Sequence, residues 1–253
     1  MTKNADATRK GLRGRLPLAV QREEGFNWRG EHVTRVEGFT DAVFAFAITL
    51  LVVSLEVPRD FDGLLDVVRN FPAFVICFTL LMTFWNSHFR FHRRYGLEDI
   101  WTRVYTMAVI ILTLFFVYPL KFLFTLVTVE LFHLDMHDAP HLETGEQLRV
   151  LYTIYGLGFA GAWGLYTALY LHALGRRAQL GLDAAELLYT KSGVAEYAIF
   201  VAVCLLSVVL AWTTDWPPLP GYIYMSLFPL QTLSGWLFGR KLRTLGEGAA
   251  ARS

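Results

Sequence analysis

Six long apolar stretches run through this chain, at roughly 36–57, 71–89, 104–127, 149–173, 193–213 and 219–239, with the polar residues gathered at their ends. About 20 apolar residues cross the hydrocarbon core of a bilayer as a helix, so each stretch is predicted to be a membrane-spanning helix. Pro229 and Gln231 interrupt the last one. The first carries the most information, because Arg35, Thr40 and Asp41 stand at one end of an otherwise apolar run that closes at Pro58. An ionisable residue at the centre of a membrane helix costs roughly 2.5–3.5 kcal/mol on insertion scales and less near the interface, so these groups are predicted to lie against partners or water.

Local signals set the boundaries. Thr34-Arg-Val-Glu37 has the spacing of a capping box, which starts the first helix near Arg35. Pro58 ends it, the acidic segment from Asp60 to Asp66 makes a short outer connection, and Pro72 opens the second helix. That helix finishes in Trp85-Asn-Ser-His88-Phe-Arg90-Phe-His92-Arg93-Arg94, a tryptophan at interface depth followed by charge. In the third, Pro119 predicts a kink and Lys121 is placed to snorkel outward. Asp183-Ala-Ala-Glu186 reads as a second cap, opening a short surface helix before the fifth span.

Composition agrees with an all-α membrane protein of six transmembrane helices: 54% of the 253 residues are apolar. Residues 1–33 read as a basic cytosolic arm, expected to be mobile, 34–240 as the six-helix domain and 241–253 as a cytosolic tail. All but five of the 23 Lys and Arg fall in the arm through Arg35, at Arg90–Arg94, at Arg176–Lys191 or in the tail; the five are Arg59, Arg69, Arg103, Lys121 and Arg149. Positive-inside bias therefore places both termini in the cytosol. A net charge of +1 gives no footprint for nucleic acid. Cys77 and Cys204 fall inside predicted helices and read as small buried hydrophobes. The outer loop from Glu130 to Gln147 carries His133, His137 and His141 with Asp135, Asp138, Glu143 and Glu146; their irregular spacing reads as solvated side chains in preference to a metal site.

On a helical wheel Ala42, Phe46, Thr49, Leu50 and Val53 form one narrow seam, while Asp41, Ala45, Ile48 and Val52 share a separate face expected to pack within the subunit. The seam admits two readings. It is either subunit packing or the lining of a pore made by several copies, in which apolar rings exclude water and Thr hydroxyls replace part of an ion's hydration shell. Antiparallel pairing of the first two helices brings Trp85 and His88 toward Asp41, so Arg35, Thr40, Asp41, Trp85 and His88 form a candidate inner cluster. That cluster reads either as a structural lock or as a titrating relay.

Arg35-x-x-x-Phe39-Thr40-Asp41, followed by an apolar helix with Ile48-Thr49-Leu50-Leu51 and a closing proline, resembles the signature of the transmembrane protein 175 family, the endolysosomal potassium channels and their prokaryotic relatives. Trp85 and His88 also look like that family. One signature copy is similar to the prokaryotic, single-repeat members, which implies a homotetramer in a bacterial plasma membrane with the first helix around a central pore. The resemblance implies a potassium-permeable cation channel that conducts down the gradient, with possible passage of other monovalent cations. It assigns Phe46, Thr49, Leu50 and Val53 to the constriction and gate, and Arg35, Phe39, Thr40, Asp41, Trp85 and His88 to the inner stabilising cluster. It implies no cofactor and no metal beyond transient K+ at Thr49. Thr40 stands where Ser is usual, Phe46 where a branched aliphatic is usual, and Val53 where Leu is usual.

The alternative is a proton-coupled secondary transporter using Asp41 and His88, with Glu196 near the inner end of its helix. Transporters commonly show internal repeats, and no duplicated signature occurs here. An enzyme would have to be built on His88 and His92, a single i, i+4 histidine pair, where membrane desaturases need several; the chain reads as no enzyme.

Overall fold

The computed structural model describes residues 22–23, 26–30, 32–55, 57–134 and 140–250. Nine α-helices are formed among them: α1 (Arg35–Val53), α2 (Phe61–Arg69), α3 (Phe71–Tyr95), α4 (Ile100–Phe132), α5 (Gly145–Gly175), α6 (Arg177–Leu180), α7 (Ala184–Thr213), α8 (Leu219–Tyr222) and α9 (Leu227–Ala250). A two-residue antiparallel pair, β1 (Arg22–Glu23) with β2 (Phe26–Asn27), precedes them. Four helices, α1, α3, α4 and α7, are both long enough and apolar enough to cross a membrane. The expected fourth and sixth spans correspond to α5 and α9; glycines dilute the hydropathy of both, together with the tyrosines of α5 and with Arg240, Lys241 and Arg243 of α9.

Both predicted caps form. The Thr34 hydroxyl accepts from the Glu37 N–H at 3.1 Å, and the Glu37 carboxylate accepts from the Thr34 N–H at 2.7 Å. At the other end Val53 is the last helical residue and Ser54 the cap, four residues short of Pro58. The Asp183–Glu186 box opens α7 itself, so the expected surface helix is the first part of a 30-residue span, and the short helix lies earlier, at α6.

Three further differences from the sequence reading have local causes. The acidic connection folds into α2, because Asp60 accepts from the Gly63 N–H at 2.8 Å and Phe61, Leu64, Leu65 and Val68 recur at helical spacing. The sixth stretch is broken: α8 and a 3-10 turn, Ile223–Ser226, come first. Pro229 then sits in the first turn of α9, where its missing N–H costs nothing, and α9 runs through the boundary expected at residue 240. In the arm, residues 1–21 lie outside the described residues, but Phe26–Gly30 is docked, with the Phe26 ring fully buried against Tyr95.

α5 packs most extensively on α7, and α1 packs on α3 and α4. One core, towards the Arg35 end of α1, is aromatic: Phe84, Phe91, Tyr95, Trp163, Tyr166, Tyr170 and Tyr197 interlock there. A second, aliphatic core joins Ala47 and Leu51 of α1 to Cys77, Leu81, Val117 and Leu120. Burying such side chains contributes about 1.5–3 kcal/mol each when the alternative is water, and less in lipid, where shape matching dominates. Gly96 ends α3 in the left-handed region, φ 57°, which lets the chain turn at once into α4. α4 continues through Pro119, whose carbonyl accepts from the Tyr155 hydroxyl. Lys121 does not run free to the outer surface: its ammonium donates to the Ser54 carbonyl, at the end of α1.

Candidate pore-lining face and inner cluster

The face that α1 buries in its own subunit is Thr40, Phe44, Ala47 and Leu51, spaced i, i+4, i+7 and i+11. It is not the expected set: Asp41, Ala45 and Val52 are exposed and Ile48 is half-buried. Thr40, the small hydroxyl residue of this face, satisfies its donor on the Val36 carbonyl at 2.7 Å, which lets it be fully buried.

On the opposite side Phe46 is 55% and Val53 68% exposed, Ala42 and Thr49 are exposed as well, and Leu50 is half-buried at the edge. The chain therefore leaves a continuous apolar stripe of α1 unfilled. Thr49 is its one hydroxyl: Oγ1 donates to the Ala45 carbonyl at 3.0 Å. With its proton turned back into the helix, the oxygen presents lone pairs outward, the orientation a cation requires.

The six residues of the expected inner cluster are not brought together. Trp85 Nε1 donates to Asp41 Oδ1 at 2.8 Å, the one predicted link that forms. His88 is buried, faces Thr106 of α4 at 3.4 Å, and lies beside His92 with ring centroids 4.3 Å apart and the rings tilted at 46°. It does not bond Asp41, so the Asp41–His88 relay of the transporter reading is not assembled. Arg35 and Phe39 are exposed on the first turns of α1, and Arg35 makes no ion pair with Asp41. Glu196, the third group of the transporter reading, is exposed on α7.

Two nodes that sequence reasoning missed hold this end of the molecule. Glu37, beyond its capping role, lies 3.8 Å from Arg93 at the end of α3. Asp99 caps α4 through the Thr102 N–H at 2.9 Å and pairs with His172 at 2.7 Å and Arg176 at 3.0 Å, tying the start of α4 to the end of α5. Partial burial alone would raise the Asp99 carboxyl; hydrogen bonds from Thr102 and His172 outweigh it and hold the group down at about 2. Glu37 was visible in the sequence only as part of a helix cap and Asp99 carried no signal of its own, and their partners lie far off in the chain, 56 residues away for Arg93 from Glu37 and 73 for His172 from Asp99. Among the described residues no group of three or more His, Cys, Asp or Glu could hold a metal ion. His137 lies outside them.

The fold and this stripe define an integral, multi-pass, all-α membrane protein in which one helix shows its apolar face to something outside its own chain. The family model "Endosomal/lysosomal potassium channel TMEM175" matches residues 35–119, the span from α1 into α4. A protein of Marivirga tractuosa named "Potassium channel" is 31% identical over 230 residues, covering 87% of this chain and 93% of that one. The crystal structure of a variant of the potassium channel MtTMEM175, in complex with a nanobody–MBP fusion, matches with a TM-score of 0.77 at 30% identity over 87% of this chain and 99% of the other. A homolog, from Chamaesiphon minutus, of the lysosomal potassium-selective channel TMEM175 shares the fold with a TM-score of 0.52 at 22% identity, over 79% of this chain and 96% of the other. The chain belongs to the TMEM175 family of potassium channels. That is a family of ion channels and not of enzymes.

Proposed function

We propose that four copies of this chain surround one axis with α1 innermost and form a potassium-permeable pore lined by Phe46, Thr49, Leu50 and Val53. The observation that carries this reading is the unfilled stripe on α1, apolar throughout except for a Thr49 oxygen whose lone pairs face outward. A single stripe is too narrow to enclose a channel, whereas four of them close a ring under cyclic symmetry. Phe46 and Val53 then make the hydrophobic constriction, and Thr49 replaces part of the hydration shell of K+ and, with less discrimination, of other monovalent cations. Asp41, Trp85 and Thr40 act in this scheme as structure at the helix base and not as an ion path. The basic ends of the helices lie in the bacterial cytosol together with both termini.

Purified protein in potassium-loaded liposomes tests the proposal. Efflux that requires a charge-compensating ionophore and no proton gradient, from a species that is tetrameric by native mass spectrometry, is the expected result. Obligatory exchange for protons, or only monomers and dimers, would overturn it.

A further inference from the structure

The segment Phe26–Gly30 is a strap between three helix ends. Arg29 gives its guanidinium to the first turn of α7: Nη2 donates to Glu186 Oε2 at 2.6 Å and Nη1 to Oε1 at 3.2 Å, while Nε donates to the Leu180 carbonyl at 2.8 Å. Glu186 is 1% exposed and also accepts from the Asn27 N–H at 3.0 Å. Two residues further, the Arg29 and Gly30 N–H groups both donate to the Arg93 carbonyl at 3.1 Å, in the last turn of α3, where helix carbonyls lack intrahelical donors. Gly30 makes the approach feasible, since a Cβ there would stand 2.5 Å from the His92 carbonyl oxygen. The Arg93 guanidinium returns to the Gly30 carbonyl at 2.9 Å and reaches Glu37, which closes the cap of α1.

α1 packs mainly on α3 and α4, and makes few direct contacts with α7. The strap therefore supplies a polar route from the α7 end of the scaffold to the base of α1, separate from the Asp99 node between α4 and α5. We infer that Arg29 and Glu186 are positioning residues for the Arg35 end of α1, acting through the strap and Arg93 on the Thr34–Glu37 cap. The functional side of this inference rests on α1 being the pore helix; the mechanical side does not. A buried carboxylate with a forked guanidinium partner suits the task, because the geometry is bidentate and neither group is tolerated alone.

Hydrogen exchange on the full-length protein in detergent, alongside liposome flux, tests it with Arg29→Gln and the milder Arg29→Lys, which keeps the charge and loses the fork. Backbone amides of residues 35–41 are expected to exchange about tenfold faster in Arg29→Gln and by an intermediate factor in Arg29→Lys, with 104–127 unchanged. Potassium flux should change by roughly threefold or more at an unaltered K+/Na+ ratio, as gating mutants do when the lining is intact. Faster exchange confined to 26–30 and 184–187, with 35–41 as in the wild type, would overturn the inference. Loosened 35–41 with unchanged flux would leave the positioning role standing and count against α1 as the pore helix. Should Arg29→Gln fail to fold, Arg29→Lys alone gives the same two readouts.

Discussion

Trp85 of α3 donates its indole N–H to the carboxylate of Asp41 on α1, at 2.8 Å, between residues 44 positions apart in the chain. A charged acceptor and a rigid donor fix the rotation of α1 against α3 at that level. Because Asp41 is exposed and not buried, the link contributes about 1 kcal/mol, short of the value for a buried charge pair. Trp85→Phe and Asp41→Asn are each expected to lower unfolding stability by about that amount, and the double variant by no more than either alone. Chemical unfolding of the four proteins in one detergent measures this cycle; additive losses would mean that the two side chains act independently.

Phe46 is the bulkiest side chain of the exposed stripe. In the proposed tetramer Phe46→Ala would widen and wet a ring of four phenyl groups, so single-channel potassium conductance is expected to rise roughly twofold or more. Planar-bilayer recordings read this directly. An unchanged conductance would place the constriction elsewhere.

Thr49→Val keeps the shape of the side chain and removes the one outward oxygen of the stripe. The K+/Na+ permeability ratio, from reversal potentials in mixed gradients, should fall while the gel-filtration profile stays that of the wild type. An unchanged ratio would take the ion path away from Thr49.

Asp99 titrates at about 2 in the folded protein, below the ordinary carboxylate value near 4. Between those values the unfolded chain binds the extra proton, so this group's contribution is complete above about pH 4 and is lost as the pH falls towards 2. Asp99→Asn should flatten the acid limb of the stability curve in that window and lower the plateau above it. Thermal unfolding across pH 2–6 provides the comparison, and an acid limb identical in both proteins would refute the assignment.

Much of this molecule could be read from residue order, and the limits of that reading are physical. Helix starts at Thr34, Asp183 and Pro72 were legible because caps and prolines are local signals. Helix lengths were underread, since α4, α5 and α7 carry on past their apolar cores into residues that no hydropathy pattern marks. α2 hid behind its acids, although Phe61, Leu64 and Val68 already held the helical period. On α1 the wheel showed which residues share a face but not which face meets α3 and α4, because apolar side chains suit the subunit core, a partner and lipid equally well. The choice fell to Thr40 and Ala47, small residues that admit close approach. His88 was drawn towards Asp41 by spacing on its own helix, and only the antiparallel neighbour α4 supplied Thr106. The Phe26–Gly30 strap has no periodic signature at all; its partners are defined by chain ends that meet in space.

The Lys121 ammonium on the Ser54 carbonyl places a positive charge where the backbone dipoles of α1 sum to a partial negative one. In a ring of four such helices, four bare carbonyl ends would form a collar of negative potential and draw in any cation, sodium as readily as potassium. In the proposed tetramer Lys121 would more than offset that collar, since a whole ammonium charge stands beside about half a negative one. Discrimination between sodium and potassium would then be left to the Thr49 oxygen deeper along the helix.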